Sequence, residues 1–311
     1  SKCKAKAERQ QSKSKAKGIE NAIIYSQQNN GPKIELIDNP GRHVSSARNL
    51  ALSRIPPSVT HLIELIGHCI VPQNHISTRM KSWQKYDLQI KENNSAPLGA
   101  LGVKVLPREG DLGMFESWVE GALSSPLGSG GGQFDNFSSA GKTKIPAFAT
   151  HLRSAVQGVG GWDDDFISCQ DSDLSMRMIE QGYCLMRCPE TTVSMAKRTS
   201  VIRWWKMGHR YGFWRTKTVL RHPKRISLRE YAPWFGLVLS TALLALSNEY
   251  WIIPAVLYGV VLLVEALRSS IRNRRISLLI GIPICLFMLH TSFSIGLIDG
   301  LIRKGKAASD R

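Results

Sequence analysis

The residues GGWDDDF (160–166), followed by QDSDLSMRM (170–178), decide how the rest of the chain is interpreted. The first peptide is a glycine pair and an aromatic residue that lead into a loop rich in carboxylates. The second peptide opens with acidic residues, as helices often do, because carboxylates accept hydrogen bonds from unpaired N–H groups and complement the helix dipole there. We therefore predict a helix with Asp171 at or near its N-cap, at the rim of a loop where a carboxylate can face a ligand.

The predicted helix has a consistent internal pattern. Leu174 and Met178 share one face with Ile179, and Asp173 and Arg177 are spaced to form an i, i+4 ion pair. Gly182 is placed to end the helix in a left-handed conformation. An acidic N-cap worth about 1 kcal/mol explains the same residues without a ligand. Spacing alone leaves both interpretations open.

Charge gives the first bound on function. The 311 residues carry 41 Lys and Arg against 24 Asp and Glu, a net charge of +17. An excess of this size indicates an anionic partner, which could be nucleic acid, a phospholipid surface or a phosphorylated substrate.

The cysteines indicate neither a disulfide framework nor a zinc site. None of the six belongs to a C-x-x-C pair, and no further ligands stand at metal spacing. We expect reduced thiols and a cytosolic compartment. The six are Cys3, Cys69, Cys169, Cys184, Cys188 and Cys285.

The chain opens on a basic arm, residues 1–18, without the apolar core of a signal peptide. We expect it to be disordered or to mark a fragment junction. Residues 19–196 then alternate between helix and strand patterns, which is typical of a layered α/β domain. In order, we predict helices over 19–28, 44–53, 73–86 and 151–159 and strands over 33–37, 61–66, 98–106, 145–150 and 183–188, the last closed by Pro189.

A stretch of small residues, 121–132, interrupts this alternation. We interpret it as a flexible loop. A phosphate-binding loop is disfavoured, because no Lys follows at the required spacing and no strand precedes.

The chain changes character in residues 197–230. Eleven basic residues and no acid fall between Lys197 and Arg229, interleaved with five aromatic residues. This pattern is typical of a surface that stacks on nucleic-acid bases, and equally of an amphipathic helix at a membrane interface.

Three apolar runs, 234–247, 251–267 and 276–297, favour the membrane. We expect two or three spans within residues 231–302, because the last run can be a third span or a re-entrant or interfacial segment, and a basic tail over 303–311. Four arginines in the connector 268–275 predict, by the positive-inside rule, that this connector and the basic segment are cytoplasmic. The basic residues would then bind an anionic membrane surface rather than nucleic acid.

Six short motifs in this order resemble family 2 glycosyltransferases, closest to the membrane-bound type that builds succinoglycan-like exopolysaccharides. The resemblance covers about residues 20–300. The motifs are NPGR (39–42) with Arg48 and Asn49, GHC (67–69) with VP (71–72), ALSSPLG (122–128), GGWD (160–163), QDSDL (170–174), and RYGFW (210–214) with RHP (221–223).

The resemblance implies a GT-A fold, a Rossmann-related mixed sheet followed by C-terminal transmembrane helices. It implies transfer of a sugar, with inversion, from a nucleotide-diphosphate donor to a lipid-linked or polysaccharide acceptor. A general base must then deprotonate the acceptor hydroxyl, and positive charge must stabilise the leaving diphosphate. Asp171 matches the base. The resemblance further assigns acceptor or substrate contacts to Gln170, Asp173, Trp162, Asp163, Arg210 and Trp214, and nucleotide contacts to Arg48 and Asn49.

The chain departs from the family pattern in two places. The family's first strand and acidic nucleotide loop have no counterpart before residue 19. At the position of the family's D-x-D metal motif the chain reads Ile66-Gly67-His68, which leaves His68 as a weak ligand for the Mg²⁺ or Mn²⁺ that the resemblance implies. The alternative to an active enzyme is a truncated or degenerate, non-catalytic homologue that acts as a membrane partner protein.

Overall fold

A computed structural model describes residues 20–304, except residues 22, 94, 130–133, 135, 136, 198, 199 and 248, and gives the backbone alone for residue 229. The predicted basic arm, the end of the small-residue stretch, Asn248 and most of the basic tail lie outside the described residues. The chain forms two compact units, Ser1–Arg54 and Ile55–Arg311.

The first unit contains two helices. One lies within residues 20–28, as predicted, and the other, α1, is Val44–Arg54. The strand predicted over 33–37 is wrong: these residues form no strand, and Leu36 is 64% exposed. Glu35 instead forms exposed ion pairs with Lys33 and Arg54, each at 3.6 Å. A β pattern without a neighbouring strand to pair with stays irregular.

The second unit contains the remaining helices and strands. They are β1 (His61–Ile63), β2 (Cys69–Ile70), α2 (His75–Glu92), β3 (Leu98–Pro107), α3 (Met114–Ser124), α4 (Pro126–Ser129), β4 (Gly141–Lys142), β5 (Thr150–Leu152), α5 (Arg153–Gly158), α6 (Gln170–Glu180), β6 (Cys184–Met195), α7 (Val201–Arg221), α8 (Leu228–Ala245), α9 (Ile253–Asn273) and α10 (Leu278–Ile302). Short 3₁₀ turns cover Pro223–Arg225 and Glu249–Ile252.

The described strands form one mixed sheet in the order β1-β5-β3-β6-β2, with β4 also paired to β6. Its centre is the parallel pair β3 and β6, and the other pairs are antiparallel. The buried face of α2, including Trp83 and Tyr86, packs on residues of β3 and β6 such as Leu101 and Cys188. The predicted α/β class is confirmed, and the more specific GT-A fold stays a prediction.

The strand predicted to close at Pro189 continues to Met195. Cys188 pairs with Val103, but the next residue of β3 pairs with Thr192, so the pairing is irregular between them. Pro189 lies in this irregularity, where its missing N–H removes no ladder hydrogen bond.

The strand predicted over 145–150 is displaced along the chain to Thr150–Leu152. Phe148 has a φ of 45°, which interrupts the extended conformation just before it. The following helix accordingly begins at Arg153 rather than at His151.

The predicted flexible loop over 121–132 is wrong in its described part. Gly121 is buried inside α3, and Pro126–Ser129 forms the short helix α4. A Cβ at position 121 would lie 3.1 Å from Cδ1 of Ile282. The small residue therefore permits close helix packing rather than chain flexibility.

A second apolar core joins α3, α7, α9 and α10. It includes Val119, Trp204, Ala266 and Ile282, all fully buried. The Trp204 indole donates to the carbonyl of Cys285 at 3.0 Å. The amphipathic helix predicted in the basic segment is thus α7, and its apolar face packs against α10.

Glycines allow α7 and α10 to cross closely. On α7, Gly208 faces Ser292 and Gly212 faces Phe293 of α10. On α10, Gly296 faces His209 and Gly300 faces Phe213 of α7. A Cβ at Gly212 would lie 2.0 Å from the carbonyl oxygen of Phe293, and one at Gly296 would lie 2.0 Å from that of His209. Spacing of small residues by four is a common basis of close helix crossings in apolar surroundings.

Among the described residues, two helices are long and apolar enough to cross a membrane, Glu249–Asn273 and Leu278–Ile302. In the first, 17% of the most apolar window is buried within the molecule, and in the second 44%. The last apolar run, for which a re-entrant form was an option, is one continuous helix of 25 residues. The run over 234–247 lies in α8, which is not one of the two.

Candidate active site

The helix α6 carries the predicted base in its first turn. It begins after Cys169, whose left-handed φ of 59° turns the chain, and the N–H groups of Ser172 and Asp173 both contact the carbonyl of Cys169. Asp171 is therefore the second residue of the helix rather than its cap, and it is exposed.

The far end of α6 closes as the sequence predicted. Gly182 has a φ of 89° and its N–H bonds the carbonyl of Ile179, while the N–H of Tyr183 bonds that of Met178. This pair of hydrogen bonds is the Schellman motif. Leu174 and Met178 are fully buried, so the predicted apolar face is confirmed.

Asp173 is fully buried and pairs with two guanidiniums and one imidazole. One carboxylate oxygen accepts from Nε of Arg177 at 2.9 Å and lies 2.7 Å from its Nη2, which confirms the predicted pair. The other oxygen lies 3.0 Å from Nε2 of His222 and 3.4 Å from Nη1 of Arg221. A buried carboxylate requires this degree of pairing, because burial penalises an isolated charge by several kcal/mol.

The GGWD loop is fastened to the same network. Arg177 also donates to the carbonyl of Val159 at 2.6 Å, just before the glycine pair. Asp163 forms a short ion pair with Arg221 and accepts from the backbone N–H of Asp165 at 2.8 Å. Although burial disfavours its ionised form, these two donors lower the pKa of Asp163. Asp163 and Asp173, predicted as separate contacts, are therefore joined through one guanidinium.

Residues that follow α7 hold the first turn of α6. Nδ1 of His222 lies 2.8 Å from Glu180, and Arg225 donates to Ser172 Oγ at 3.3 Å. Arg225 is in turn 3.4 Å from Glu230. Ser172 and Asp173, the two residues after the predicted base, are thus both contacted by residues 221–225.

Two aromatic groups flank this network. Trp214 is 5% exposed and packs on Phe166 with ring centroids 6.0 Å apart, and the ammonium of Lys217 lies over both rings. Trp162 is buried edge-on against His151, which is 3.3 Å from Glu64. Both predicted tryptophans contribute to packing, and their substrate contacts stay predictions.

The remaining predicted site residues lie on α1, α6 and α7. Gln170 is the first residue of α6, and its side-chain oxygen is buried without a hydrogen-bond partner in the described structure. Arg210 is exposed on α7. Arg48 and Asn49 lie in the middle of α1, in the first unit.

The residues at the predicted metal position do not fit a divalent ion. Ile66 offers no ligand, and His68 is exposed on the turn before β2, where Cys69 Sγ donates to the carbonyl of Ile66. Among the described residues, no group of three His, Cys, Asp or Glu side chains could hold a metal.

The sequence did not predict the contacts of Arg221, His222 and Arg225 with α6. Arg221 and His222 belong to the RHP motif, but nothing in its spacing indicates that it contacts a helix some fifty residues earlier. A partial signal was present, because Asp173 precedes the apolar Leu174 and lies one turn before Met176 on the predicted helix, and a carboxylate buried with such neighbours needs cationic partners.

Two curated proteins are similar to this chain in sequence. Succinoglycan biosynthesis protein ExoA of Rhizobium meliloti (strain 1021) is 24% identical over 224 residues, 72% of this chain and 64% of the relative. Dolichyl N-acetyl-alpha-D-glucosaminyl phosphate 3-beta-D-2,3-diacetamido-2,3-dideoxy-beta-D-glucuronosyltransferase of Methanococcus voltae is 27% identical over 142 residues, 46% of this chain and 42% of the relative. No protein-family profile matches the chain.

The resemblance to exopolysaccharide glycosyltransferases is confirmed. This glycosyltransferase-like chain spans less than two thirds of the length of either relative. The activity of the whole protein is therefore a proposal.

Proposed function

We propose that the chain transfers a sugar from a nucleotide-diphosphate donor to a lipid-linked or polysaccharide acceptor, with inversion, in exopolysaccharide or cell-surface glycan synthesis. In this reaction the acceptor oxygen bonds to the anomeric carbon as the bond to the diphosphate breaks. The hydroxyl proton passes to Asp171, and the nucleotide diphosphate leaves on the opposite face of the sugar. Positioned proton transfer of this kind contributes about 10²- to 10⁴-fold to a rate.

The proposal rests on one observation: Asp171 is exposed in the first turn of α6, while the side chains of the next two residues are buried and form hydrogen bonds or ion pairs. Ser172 and Asp173 are 3% and 0% exposed and contact Arg225, Arg177, Arg221 and His222. A general base must face the acceptor from a fixed backbone, and this arrangement supports such a role for Asp171.

The apolar helices support a lipid-linked acceptor. We propose that α9 and α10 cross the cytoplasmic membrane, that the sheet-containing part lies on its cytoplasmic side, and that the basic residues of α7 contact anionic lipid headgroups. The exposed Arg210 is placed on α7 where it could meet a phosphate of the donor or the acceptor. The divalent metal stays a prediction from the resemblance, and no step of the proposed reaction is assigned to it.

The test is sugar transfer by membranes that contain the full chain, with the Asp171→Asn variant as the comparison. Radiolabelled nucleotide sugars would be screened for label that becomes extractable with lipid or retained in polysaccharide. We expect Asp171→Asn to lower kcat by about 10²-fold or more. Asp87→Asn is the matched control, because Asp87 forms an ion pair with Lys91 on α2, at 2.7 Å. Equal turnover by Asp171→Asn and wild type would exclude Asp171 as the base.

The second candidate function is a non-catalytic partner protein. The observation that favours it is Ile66, which supplies no oxygen ligand where the resemblance expects a metal-binding carboxylate. In that case calorimetry on the detergent-solubilised chain would detect no metal-dependent binding of any nucleotide sugar, and no transfer would be found.

A further inference from the structure

Arg221 is the last residue of the amphipathic helix α7, and residues 221–225 contact Ser172 and Asp173 in the first turn of α6. We propose that Arg221, His222 and Arg225 are positioning residues for the transfer reaction: they fix the direction of the Asp171 side chain by holding Ser172 and Asp173. The proposal rests on the function proposed above and adds to it the residues that set the base.

His222 is the centre of this contact. Its ring is 3% exposed, with Nε2 3.0 Å from Asp173 and Nδ1 2.8 Å from Glu180. A neutral imidazole has a single N–H and would turn a lone pair toward the other carboxylate. The ring therefore joins the two carboxylates at opposite ends of α6.

Arg177 and Arg221 are the two guanidiniums beside the Asp173 carboxylate, and the imidazole of His222 is its third partner. Because Asp173 is fully buried, loss of one cation would leave its charge under-compensated and displace the turn that carries Asp171.

The contact reaches the apolar helix α10 through α7. Thr216 donates to the carbonyl of Leu297 at 3.0 Å, and the glycines at the helix crossing hold the two backbones together. Arg215 and Arg225 converge on Glu230 at the start of α8, at 2.9 and 3.4 Å. The first turn of α6 is therefore held by a part of the molecule that is itself anchored to two further helices.

Contacts of this kind could serve stability alone, so the test must separate position from folding. The variants are His222→Ala and His222→Gln in the full chain, with His209→Gln as the matched control. His209 also lies beside a carboxylate, with its Nε2 3.5 Å from Asp299, but that carboxylate belongs to α10 and not to α6. Gln at position 222 keeps an N–H group but cannot carry the positive charge.

We expect His222→Ala to lower kcat by about 10²-fold, because a misplacement of about 1 Å can cost that much. The KM for the nucleotide sugar should stay within about twofold, since the donor-binding groups are unchanged, a split that a merely structural role would not produce. We expect a smaller loss of kcat for His222→Gln, and His209→Gln should keep most of the activity. If His222→Ala does not accumulate, His222→Gln carries the comparison.

A second readout needs no turnover. In an Asp171→Cys background, the rate of alkylation at residue 171 by a charged maleimide, followed by peptide mass spectrometry, reports how that side chain is presented. We expect His222→Gln to change this rate severalfold and His209→Gln to leave it unchanged. The positioning role is overturned if His222→Gln alters neither the alkylation rate nor kcat. The proposed function fails separately, if Asp171→Asn keeps full transfer while the alkylation rate still depends on His222.

Discussion

Gly212 of α7 lies directly against the carbonyl oxygen of Phe293 in α10, so close that a Cβ at Gly212 would be 2.0 Å from that oxygen. Gly296 makes the reciprocal contact with His209. The two helices approach each other backbone to backbone, and this approach fixes where the C-terminal end of α7 delivers Arg221 and His222.

We predict that Gly212→Leu destabilises the protein by about 3 kcal/mol or more, at or beyond the upper end of ordinary overpacking, because a backbone carbonyl cannot rotate away as a side chain can. The measurement is thermal unfolding of the detergent-solubilised chain. Gly259→Leu is the control, since a Cβ at Gly259 meets nothing within 4 Å. Equal melting temperatures for the two variants would show that the helices do not cross as described.

The buried pair Lys197 and Glu120, 3.4 Å apart, predicts a pH-dependent variant. Burial raises the pKa of Glu120 to about 7 even with Lys197 beside it. Lys197→Met removes that cation. The folded state is then destabilised when Glu120 is ionised, whereas a neutral Glu120 is little affected by the loss of the cation. The folded pKa lies above the unfolded value, and stability is therefore lost as pH rises.

We expect Lys197→Met to destabilise the chain by about 3 kcal/mol at pH 8 and by clearly less at pH 6. The free energy of unfolding at the two pH values, from denaturant titration, is the measurement. Lys91→Met, which breaks an exposed pair on α2, should cost less than about 1 kcal/mol at both. A loss for Lys197→Met that is the same at both pH values would contradict the assignment.

A second pH effect arises at His75 on α2. Burial, and then the charge of Arg79, lower the pKa of His75 to about 4. Because the unfolded chain binds this proton at higher pH than the folded chain, stability is lost as pH falls from about 6.5 toward 4. His75 accepts from Nε of Arg79 at 2.8 Å through Nε2, while its Nδ1 is 2.8 Å from Thr191 Oγ1.

We expect His75→Gln to be less stable than wild type at pH 7 but to lose less stability on acidification to pH 5. Unfolding free energies over this range check the slope. His68→Gln, at an exposed position, should keep the wild-type slope. If the free energy of unfolding of His75→Gln fell with pH as steeply as that of wild type, His75 would not contribute to the loss of stability in acid.

The exposed apolar surface of α9 predicts membrane insertion. Leu257 is 61% exposed within the helix, and Arg at the centre of a span costs about 2.5–3.5 kcal/mol. Leu257→Arg should therefore increase the fraction of chain released from membranes by alkaline carbonate. Leu88→Arg, at an equally exposed Leu of α2, is the control and should leave this fraction unchanged. Full release of the wild-type chain by carbonate would contradict a spanning α9.

Local patterns predicted what depends on neighbours in the sequence. The helix α6, its Asp173–Arg177 pair and its end at Gly182 follow from spacings of four residues or fewer. The strand predicted over 33–37 failed because pairing with another strand cannot be read from the strand itself. The prediction for Gly121 was wrong for a similar reason: the local sequence does not distinguish a glycine in a flexible loop from a glycine at a helix–helix contact.

The candidate site was predicted only in part. Asp171, Asp163 and Asp173 were named from motifs, but the connection of Asp163 with Asp173 through Arg221 depends on contacts between residues about fifty apart. The four-residue spacing of Gly208 with Gly212, and of Gly296 with Gly300, was visible in the sequence. Which two helices those pairs would bring together was not, because that is decided by tertiary packing.

The contacts of α7 also have a consequence for synthesis of the chain. Residues 221–225 hold the first turn of α6, and α7 itself rests on α10, through hydrogen bonds that join residues 81 positions apart in the sequence. A ribosome produces residues 170–180 long before residues 278–302, and contacts this distant in sequence form late. The candidate base therefore reaches its final orientation only after the last helix has emerged and docked, so that the nascent chain has an incomplete site until its C-terminal region is in place.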